Sequence, residues 1–330
     1  MIKKIIQNFY HLIIFLYDVS FFKIRKKNHP SSYQMMVKLY SLTGGLSNDL
    51  VSYFVKKKKQ NKNIQNQYIL DEKKDNLLLN DLKENGYVLV KDFINTSQVD
   101  EILNEFSKIK GVYYQDEVSN KKFYNTNSPE QIKFEYLEED ILNSSILKKI
   151  IFEKKLLQFS RDYLNAEPVL DIIAMWWSSY SEAADKKAAQ WWHFDMDRPK
   201  WIKFFIYLTD CNQENGPHCI IKRTHKNFSV PWKIRKNGYS RISDDIINKN
   251  FLESDITEII AKKGTLLIED SRALHKGKKL EKGNRLMFQL QFSNSLFGGN
   301  YKKFTIDEKN FAFSKIKKDN PYTYQLFDYE

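Results

Sequence analysis

The chain has 330 residues, 42% of them hydrophobic and 15% aromatic, so it can bury a full core and is not a disordered polymer. Its net charge of +12 at pH 7 comes almost entirely from residues 1–66, where twelve lysines and arginines face only Asp18 and Asp49. Of the 53 basic and 41 acidic residues, 41 and 39 lie beyond residue 66, which leaves no charge argument for a polyanionic substrate or for nucleic acid. Cys211 and Cys219 are too few for a disulfide framework and indicate free thiols in a reducing compartment, hence a cytoplasmic protein.

The N-terminal segment combines Lys3 and Lys4 with an apolar run over residues 9–17. The run is shorter than the roughly 20 apolar residues that cross a bilayer, and no small-residue cleavage site follows it. We predict a helix that packs on the main domain through six apolar residues, which are Ile5, Ile6, Phe9, Leu12, Ile13 and Leu16. The alternative is an interfacial helix in peripheral contact with a membrane, where the basic residues of segments 23–27 and 56–59 would touch anionic headgroups.

Pro30 and the pair Gly44-Gly45 divide the rest of this N-terminal arm. Two short helices are predicted between these breaks, over residues 33–40 and 47–55. Residues 56–63 are polar and charged without periodicity, which is typical of a linker. The sequence therefore predicts a basic helical extension with its linker over residues 1–66 and a main domain over residues 67–330.

In the main domain the predicted helices come first and the strands later. Helices are predicted over residues 77–84 with a stop at Gly86, from a cap at Thr96 or Ser97, and over 139–163 with a break near 143–145. Strands are predicted over residues 87–90, 169–174, 176–180, 191–195, 202–208, 218–221, 256–260, 265–268 and 285–292. Short strands without long helices between them predict an antiparallel sandwich or jelly roll, with the N-terminal helices packed on one sheet.

Residues 190–197 carry the strongest functional signal of the sequence. In a strand over residues 191–195, His193 and Asp195 would project from the same face, because side-chain direction repeats every second residue. A histidine and a carboxylate are two of the three ligands of a facial metal site, and His275, just after an apolar run, is the predicted third. The arrangement suits an octahedral Fe(II) with open positions for a co-substrate and O₂.

Arg285 begins the strand-like run that follows His275, and we predict that it binds the co-substrate. A dicarboxylate keto acid would chelate iron at its 2-oxo acid end, and its far carboxylate would need a planar, permanently charged partner. Two alternatives stay open. Arg285 could pair with Glu269 or Asp270, and the His193–Asp195 motif could be a hydrogen-bonded core pair without a metal.

Three other residues compete for a place in the site. Asp197 would share the strand face of Asp195, but the strand is expected to end before Pro199, so Asp197 is predicted in a turn. His225 is followed by a polar loop and is predicted to be structural. His218 is predicted to be an ordinary residue of a sheet or loop.

Several motifs occur in a characteristic order along the chain, namely LKENGYVLVKDF at residues 82–93, WHFD at 192–195, NGP at 215–217, KRTHK at 222–226, and GT at 264–265 leading to His275 and Arg285. Together they resemble the phytanoyl-CoA dioxygenase-like branch of the Fe(II)/2-oxoglutarate-dependent oxygenases, over residues 77–292. The resemblance implies a mainly β fold with N-terminal helices, a double-stranded β-helix of the jelly-roll, cupin-like type. It also implies Fe(II) and 2-oxoglutarate as cofactors, with succinate and CO₂ released.

Carried over residue by residue, the resemblance implies His193, Asp195 and His275 as metal ligands. Arg285 would hold 2-oxoglutarate, and Gln190 would be a polar residue beside it. Relatives that halogenate lack the metal-binding carboxylate, so Asp195 favours hydroxylation of an unactivated C–H bond in a small or lipid-like molecule.

The chain departs from the family pattern at residues 222–224, where larger side chains replace small ones, and residues 1–66 have no family counterpart, so the substrate is not specified. The alternative function is a non-catalytic jelly-roll binding module, held at a membrane surface by its basic arm.

Overall fold

The computed structural model describes residues 2–59, 68–114, 116–180, 190–236, 238, 241–307 and 313–329. The chain begins with three helices that pack against one another, α1 (Ile2–Arg25), α2 (Pro30–Thr43) and α3 (Leu46–Val55). Pro30 fits the first turn of α2, where no backbone donor is needed, and Gly44 ends that helix in the left-handed conformation. The short helices predicted over residues 33–40 and 47–55 are confirmed. None of the described helices is long and apolar enough to cross a membrane.

Helix α1 packs on the main domain, but through a different face from the predicted one. Phe15 and Phe22 are buried, with their rings edge-on to Phe297 at centroid distances of 6.0 and 5.3 Å. Of the predicted contact residues, Leu12 is half-buried, the side chain of Ile5 lies outside the described residues, and the remaining four are exposed, namely Ile6, Phe9, Ile13 and Leu16. Large apolar side chains occur on both sides of α1, so the sequence periodicity could not select the buried face.

The start of the predicted linker is held against the main domain. Beyond the end of α3, Lys57 forms an isolated β-bridge with Glu167, and Lys59 forms an ion pair with Asp162. The rest of the predicted linker, residues 60–63, lies outside the described residues. The boundary between residues 66 and 67 stays a prediction.

The remaining described helices belong to the main domain and are α4 (Glu72–Asn85), α5 (Thr96–Phe106), α6 (Glu138–Asn143), α7 (Ser145–Ile151), α8 (Lys154–Leu164), α9 (Trp232–Arg235), α10 (Asp244–Asn248) and α11 (Phe313–Asp319). The predicted break near residue 144 is confirmed, since the Ser144 hydroxyl caps α7 by accepting from the Leu147 backbone N–H. The predicted cap of α5 is wrong by one residue. Asn95 is the cap, because its side chain and that of Gln98 each accept from the other's backbone N–H, forming a complete capping box.

The described strands are β1 (Tyr87–Val90), β2 (Val112–Tyr113), β3 (Lys133–Tyr136), β4 (Val169–Ser179), β5 (Trp201–Tyr207), β6 (His218–Ile221), β7 (Ile256–Ile259), β8 (Leu266–Glu269), β9 (His275–Gly277), β10 (Asn284–Ser293), β11 (Phe304–Ile306) and β12 (Phe327–Tyr329). The two runs predicted over residues 169–180 form the single strand β4. The strand predicted over residues 191–195 is not formed. That segment makes two isolated bridges to two different parts of the chain, Trp192 with Ile242 and His193 with His275, and so forms no continuous ladder.

Two sheets form the jelly roll that the sequence predicts. The larger sheet has seven antiparallel strands in the order β1-β8-β5-β10-β4-β3-β2, and the smaller has three in the order β7-β6-β9. Helix α8 packs on one face of the larger sheet, where its Phe159 meets Phe204 of β5 edge-on at 6.4 Å. The other face looks toward the smaller sheet, and the space between them is the cavity described below.

A buried ion pair secures the loop between β8 and β9. The carboxylate of Asp270, fully buried, accepts hydrogen bonds from the Arg272 guanidinium and from the Tyr163 hydroxyl of α8. Burial alone would raise the pKa of Asp270, but the adjacent Arg272 charge holds it well below its usual range. The pair therefore fixes the chain that leads into His275 from the helical layer.

We expect Asp270→Asn to lower the free energy of unfolding by about 3 kcal/mol, because it leaves the buried Arg272 charge without its partner. Urea denaturation measures the loss. Since the folded-state pKa is depressed, the pair stabilises the protein above the unfolded pKa of about 4 and the difference between variant and wild type should shrink below it. The control is Asp100→Asn at an exposed pair with Lys263, which should cost less than about 1 kcal/mol. Equal losses for the two variants would contradict the prediction.

Gly264, in the turn before β8, occupies a position that only glycine fits. Its φ is +88°, its carbonyl accepts from the Ile94 N–H at 3.2 Å, and an added Cβ would overlap the carbonyl oxygen of Ile94. Gly283 has a φ of +69° and open space around it, so a substitution there introduces the strain of a positive φ without a steric overlap. We expect Gly283→Ala to lower the melting temperature modestly and Gly264→Ala to cost about 2 kcal/mol more, the usual scale of overpacking. Equal melting temperatures would contradict this account.

Candidate active site

Three side chains bring their ligand atoms together in the cavity between the two sheets, which has a volume of about 390 Å³. His193, Asp195 and His275 are buried, and one ligand atom from each lies within 4.8 Å of the other two. The Nε2 atoms of His193 and His275 are 3.8 and 3.7 Å from the Asp195 carboxylate oxygens. These distances exceed a hydrogen bond, so the alternative of a hydrogen-bonded His193–Asp195 core pair does not describe the geometry. They leave room for an ion between the three groups.

The backbone explains why these residues meet although the predicted strand is absent. The His193 N–H donates to the His275 carbonyl at 3.0 Å, and the His275 N–H donates back to the His193 carbonyl at 2.8 Å. The Asp195 N–H donates to the Ser271 carbonyl at 2.9 Å. The segment is extended, so its side chains still alternate and His193 and Asp195 share a side.

Both histidine rings are oriented by backbone carbonyls. Nδ1 of His193 lies 2.8 Å from the Trp191 carbonyl oxygen, and Nδ1 of His275 lies 2.9 Å from that of Ala273. A carbonyl only accepts, so each Nδ1 carries a proton, and in the neutral form of either ring the lone pair lies on Nε2, the atom that joins the three-residue cluster. Burial and the neighbouring His275 lower the pKa of His193 to about 3, which keeps that ring neutral. A neutral imidazole held by its other nitrogen is the usual form of a metal-binding histidine.

Lys203 of β5 is a residue of the site that the sequence reasoning missed. Its Nζ lies 2.5 Å from Oδ2 of Asp195, and both side chains are about nine-tenths buried. Burial would raise the pKa of Asp195, but the adjacent charge of Lys203, which also donates a hydrogen bond to the carboxylate, lowers it well below its usual range. Asp195 is therefore an anionic donor at neutral pH. The sequence shows Lys203 only as a lysine in an apolar strand, which is a signal of an inward-facing charge.

Arg285 of β10 lies in the same cavity with donors that are not used. Its side chain is 6% exposed, and its Nε and Nη1 have no hydrogen-bond partner among the described residues. The alternative pairings of Arg285 are not formed, because Asp270 binds Arg272 and Glu269 lies beside His218. The hydroxyl of Tyr207, on the adjacent strand, is also buried without a partner in the described chain. A buried guanidinium with unused donors indicates a site for an anionic group.

The predicted residue Gln190 also lines the cavity, although its neighbours 181–189 lie outside the described residues. His218 and Glu269 were not predicted in the site. Nε2 of His218 is 2.8 Å from the Glu269 carboxylate, and its ring stacks on His275 with centroids 5.5 Å apart. Glu269 also lies 3.7 Å from Nδ1 of His275, so the His218–Glu269 pair lies directly beside a predicted metal ligand. Only the register of β5, β6 and β8 brings these residues together.

His225 and Asp197, the two residues that the sequence analysis did not favour as metal ligands, lie outside the three-residue cluster. His225 points away from the cavity, with Nε2 3.1 Å from the Lys83 carbonyl oxygen near the end of α4. Asp197 lies in a bend outside the three-residue cluster, and its carbonyl accepts from the Gly299 N–H at 2.9 Å.

A protein-family model described as phytanoyl-CoA dioxygenase matches residues 82–280, which is more than half of the chain. The match includes all three residues of the His-Asp-His cluster and ends five residues before Arg285. Among curated protein sequences, none matches this one.

Solved structures with a similar chain path share little sequence with this one. HygX from Streptomyces hygroscopicus with nickel and 2-oxoglutarate bound is 16% identical, over 72% of this chain and 92% of that one, with a TM-score of 0.47. The epimerase SnoN in complex with Fe³⁺, α-ketoglutarate and nogalamycin RO is 12% identical, over 68% and 84%, also with a TM-score of 0.47. The apoform of EctD from S. alaskensis is 12% identical, over 72% and 80%, with the same TM-score of 0.47.

Proposed function

The chain belongs to the phytanoyl-CoA dioxygenase family, and from this premise we propose that it is an oxygenase dependent on Fe(II) and 2-oxoglutarate. Its substrate would be a small or lipid-like molecule hydroxylated at an unactivated C–H bond, with succinate and CO₂ released. One observation carries the proposal: the His193-Asp195-His275 cluster and the unpaired donors of Arg285 line one cavity.

The three clustered residues fit Fe(II). Two neutral imidazole nitrogens and one carboxylate oxygen are the donors of a facial triad, which leaves the other side of an octahedral ion open. Arg285 and Gln190 line the same cavity as the three residues that would hold the ion. The Ala273 carbonyl would support the arrangement from behind His275, as hydrogen-bonded outer partners commonly do for metal-binding histidines, and the Glu269 carboxylate lies 3.7 Å from the same nitrogen.

Arg285 fits the far carboxylate of 2-oxoglutarate. A guanidinium offers two parallel N–H donors to a carboxylate, and it keeps its charge at every physiological pH. The buried hydroxyl of Tyr207 lies close enough to be affected by the charge of Arg285 and would supply a further donor. Gln190 would contact the co-substrate from the loop side of the cavity.

When bound, Fe(II) and 2-oxoglutarate supply the oxidation of a C–H bond by O₂. The residues of this chain decide which oxidation is favoured. Asp195 fills the ligand position that halogenating relatives leave for a halide, and Lys203 holds its carboxylate in place as an anion. We therefore propose hydroxylation.

The proposal assigns catalysis to residues 67–330 and leaves residues 1–66 as a basic extension. It places the protein in the cytoplasm, where a reducing environment keeps the buried Cys211 and Cys219 as thiols. The competing hypothesis, a jelly-roll binding module without catalysis, predicts a protein without affinity for Fe(II).

An anaerobic titration tests the proposal. The protein with Fe(II) and 2-oxoglutarate together should give a weak visible charge-transfer band that is absent with either one alone, because the keto acid chelates the bound ion. Oxygen should then convert 2-oxoglutarate to succinate. Absence of the band, with no Fe(II) bound at equilibrium, would overturn the proposal and favour the binding module. The band without turnover of any candidate C–H substrate would contradict the assigned substrate class but not the cofactors.

A further inference from the structure

The outer face of α1 exposes a continuous row of large apolar side chains. They are between 44% and 80% exposed, and they are Ile6, Phe9, Tyr10, Ile13, Leu16, Tyr17, Phe21 and Ile24. Their spacing of three, four and seven residues places them along one side of the helix. Single exposed apolar residues are ordinary on a protein surface, but a contiguous row along about five turns of helix marks an interaction surface.

The exposure of this outer face does not come from a detached helix. The opposite side of α1 is built into the core through Phe15 and Phe22, which contact Phe297. Asp18, also buried, accepts hydrogen bonds from the Ser32 hydroxyl and the His29 N–H, both at 2.6 Å, and so fixes α1 to the start of α2. The helix therefore presents its outer face on a rigid support.

Basic residues lie at both ends of this outer face. The sequence places Lys3 and Lys4 before it, and exposed lysines follow it at Lys23, Lys26 and Lys27, while Arg25 is ion-paired with Asp18 at 3.2 Å. The cluster extends to Lys57, since the Nζ atoms of Lys26 and Lys57 lie 6.0 and 5.0 Å from the same ring centre, that of Tyr322. The acidic residue of α1, Asp18, is buried, so it offers no negative charge to a partner at this surface.

We propose that the outer face of α1 docks onto an anionic lipid membrane, with the helix lying in the plane of the headgroups. Apolar side chains would enter the acyl boundary, Tyr10 and Tyr17 would sit at headgroup level as tyrosines commonly do, and the basic ends would meet lipid phosphates. The proposed contact is peripheral, since no described helix, α1 included, is both long and apolar enough to cross a bilayer. The proposal is independent of the oxygen chemistry.

Charge decides between a membrane and a second copy of this chain. Two α1 helices packed through their outer faces would bring basic ends together whether they ran parallel or antiparallel, because both ends of the row are basic. An anionic lipid surface is complementary to both ends at once. The apolar row and its charges therefore fit lipid better than self-association.

Vesicle sedimentation of the full chain tests the proposal. We expect binding to equimolar phosphatidylcholine and phosphatidylserine vesicles that weakens with added salt, and much weaker binding to phosphatidylcholine alone. A triple variant of the outer face, Ile6→Glu, Ile13→Glu and Ile24→Glu, should lower partitioning at least about 100-fold. The matched control carries Leu77→Glu, Val118→Glu and Leu252→Glu, which are as exposed in the wild type but lie elsewhere, and it should bind normally.

A second pair of variants tests the charges. Replacing Lys23, Lys26 and Lys27 by glutamine should weaken binding to the mixed vesicles on the order of 100-fold and leave the phosphatidylcholine result unchanged. Its control replaces Lys262, Lys282 and Lys302, which are exposed on the main domain. Wild-type binding by the α1 variants, or no binding by the wild type, would overturn the proposal. So would a dimer, detected by light scattering, that the outer-face variant dissociates.

Discussion

Replacing His275 by alanine is expected to lower Fe(II) affinity by more than about 100-fold and to reduce succinate formation to the uncatalysed level. Removing even an outer partner of a metal ligand costs about 10–100-fold in affinity or activity, so loss of a ligand should exceed that range. Among the described residues, no other imidazole is placed to substitute for it. His218 is the nearest other imidazole, and it is engaged with Glu269 at 2.8 Å. Equilibrium dialysis with Fe(II) under argon measures the affinity.

The control for this prediction is His225→Ala. His225 is another buried histidine, but it lies against the end of α4 and outside the cavity, so its loss should affect stability while leaving iron affinity intact. Circular dichroism of both variants separates misfolding from loss of the ion. Full iron binding by a folded His275→Ala protein would show that the ion, if bound, is held elsewhere.

Replacing Arg285 by lysine is expected to weaken 2-oxoglutarate binding about 100-fold while Fe(II) binding stays within about twofold of the wild type. Loss of a buried, bidentate charge pair costs about 2–5 kcal/mol, and each 1.4 kcal/mol is a factor of ten. Lysine keeps the positive charge but not the two parallel donors, so the variant tests geometry and not charge alone. Titration of the charge-transfer band with 2-oxoglutarate measures the change.

Two companion variants sharpen this result. Tyr207→Phe removes one buried hydroxyl and should weaken 2-oxoglutarate binding about tenfold, the cost of one hydrogen bond to a charged group. Arg223→Lys changes an exposed arginine paired with Asp255 and should have no effect. If Arg285→Lys and Arg223→Lys bind 2-oxoglutarate equally well, the role assigned to Arg285 is wrong.

The candidate site could be predicted from the sequence largely because two of its residues are close neighbours in the chain. His193 and Asp195 are two residues apart, and an extended chain places such side chains on one side whether or not it pairs into a regular strand. The predicted strand over residues 191–195 was wrong, yet the pair still meets His275. Arg285 was predictable from its position on the strand after the distal histidine.

Lys203, His218 and Glu269 could not be predicted because their positions depend on register across three strands. Lys203 pairs with Glu269 in the alignment of β5 with β8, and His218 reaches them only from the opposite sheet. A shift of one residue in either strand would have turned these side chains away from the cavity. The sequence contains no local signal of that register.

The buried face of α1 was missed for a different reason. A helix with apolar residues on two sides satisfies the packing pattern in either orientation, so Ile6 and Ile13 were as plausible as Phe15. The contacts of Phe15 and Phe22 with Phe297 determine which face of α1 is buried. The same contacts make removal of the arm an unsuitable test of its role, because the truncated protein would lose part of its core.

The backbones of His193 and His275 are hydrogen-bonded to each other in both directions, so the separation of these two ligands is set before any ion arrives. Binding of an ion would therefore need no rearrangement of the backbone between these two ligands. Crystals grown without metal should therefore take up Fe(II) by soaking without damage to the lattice.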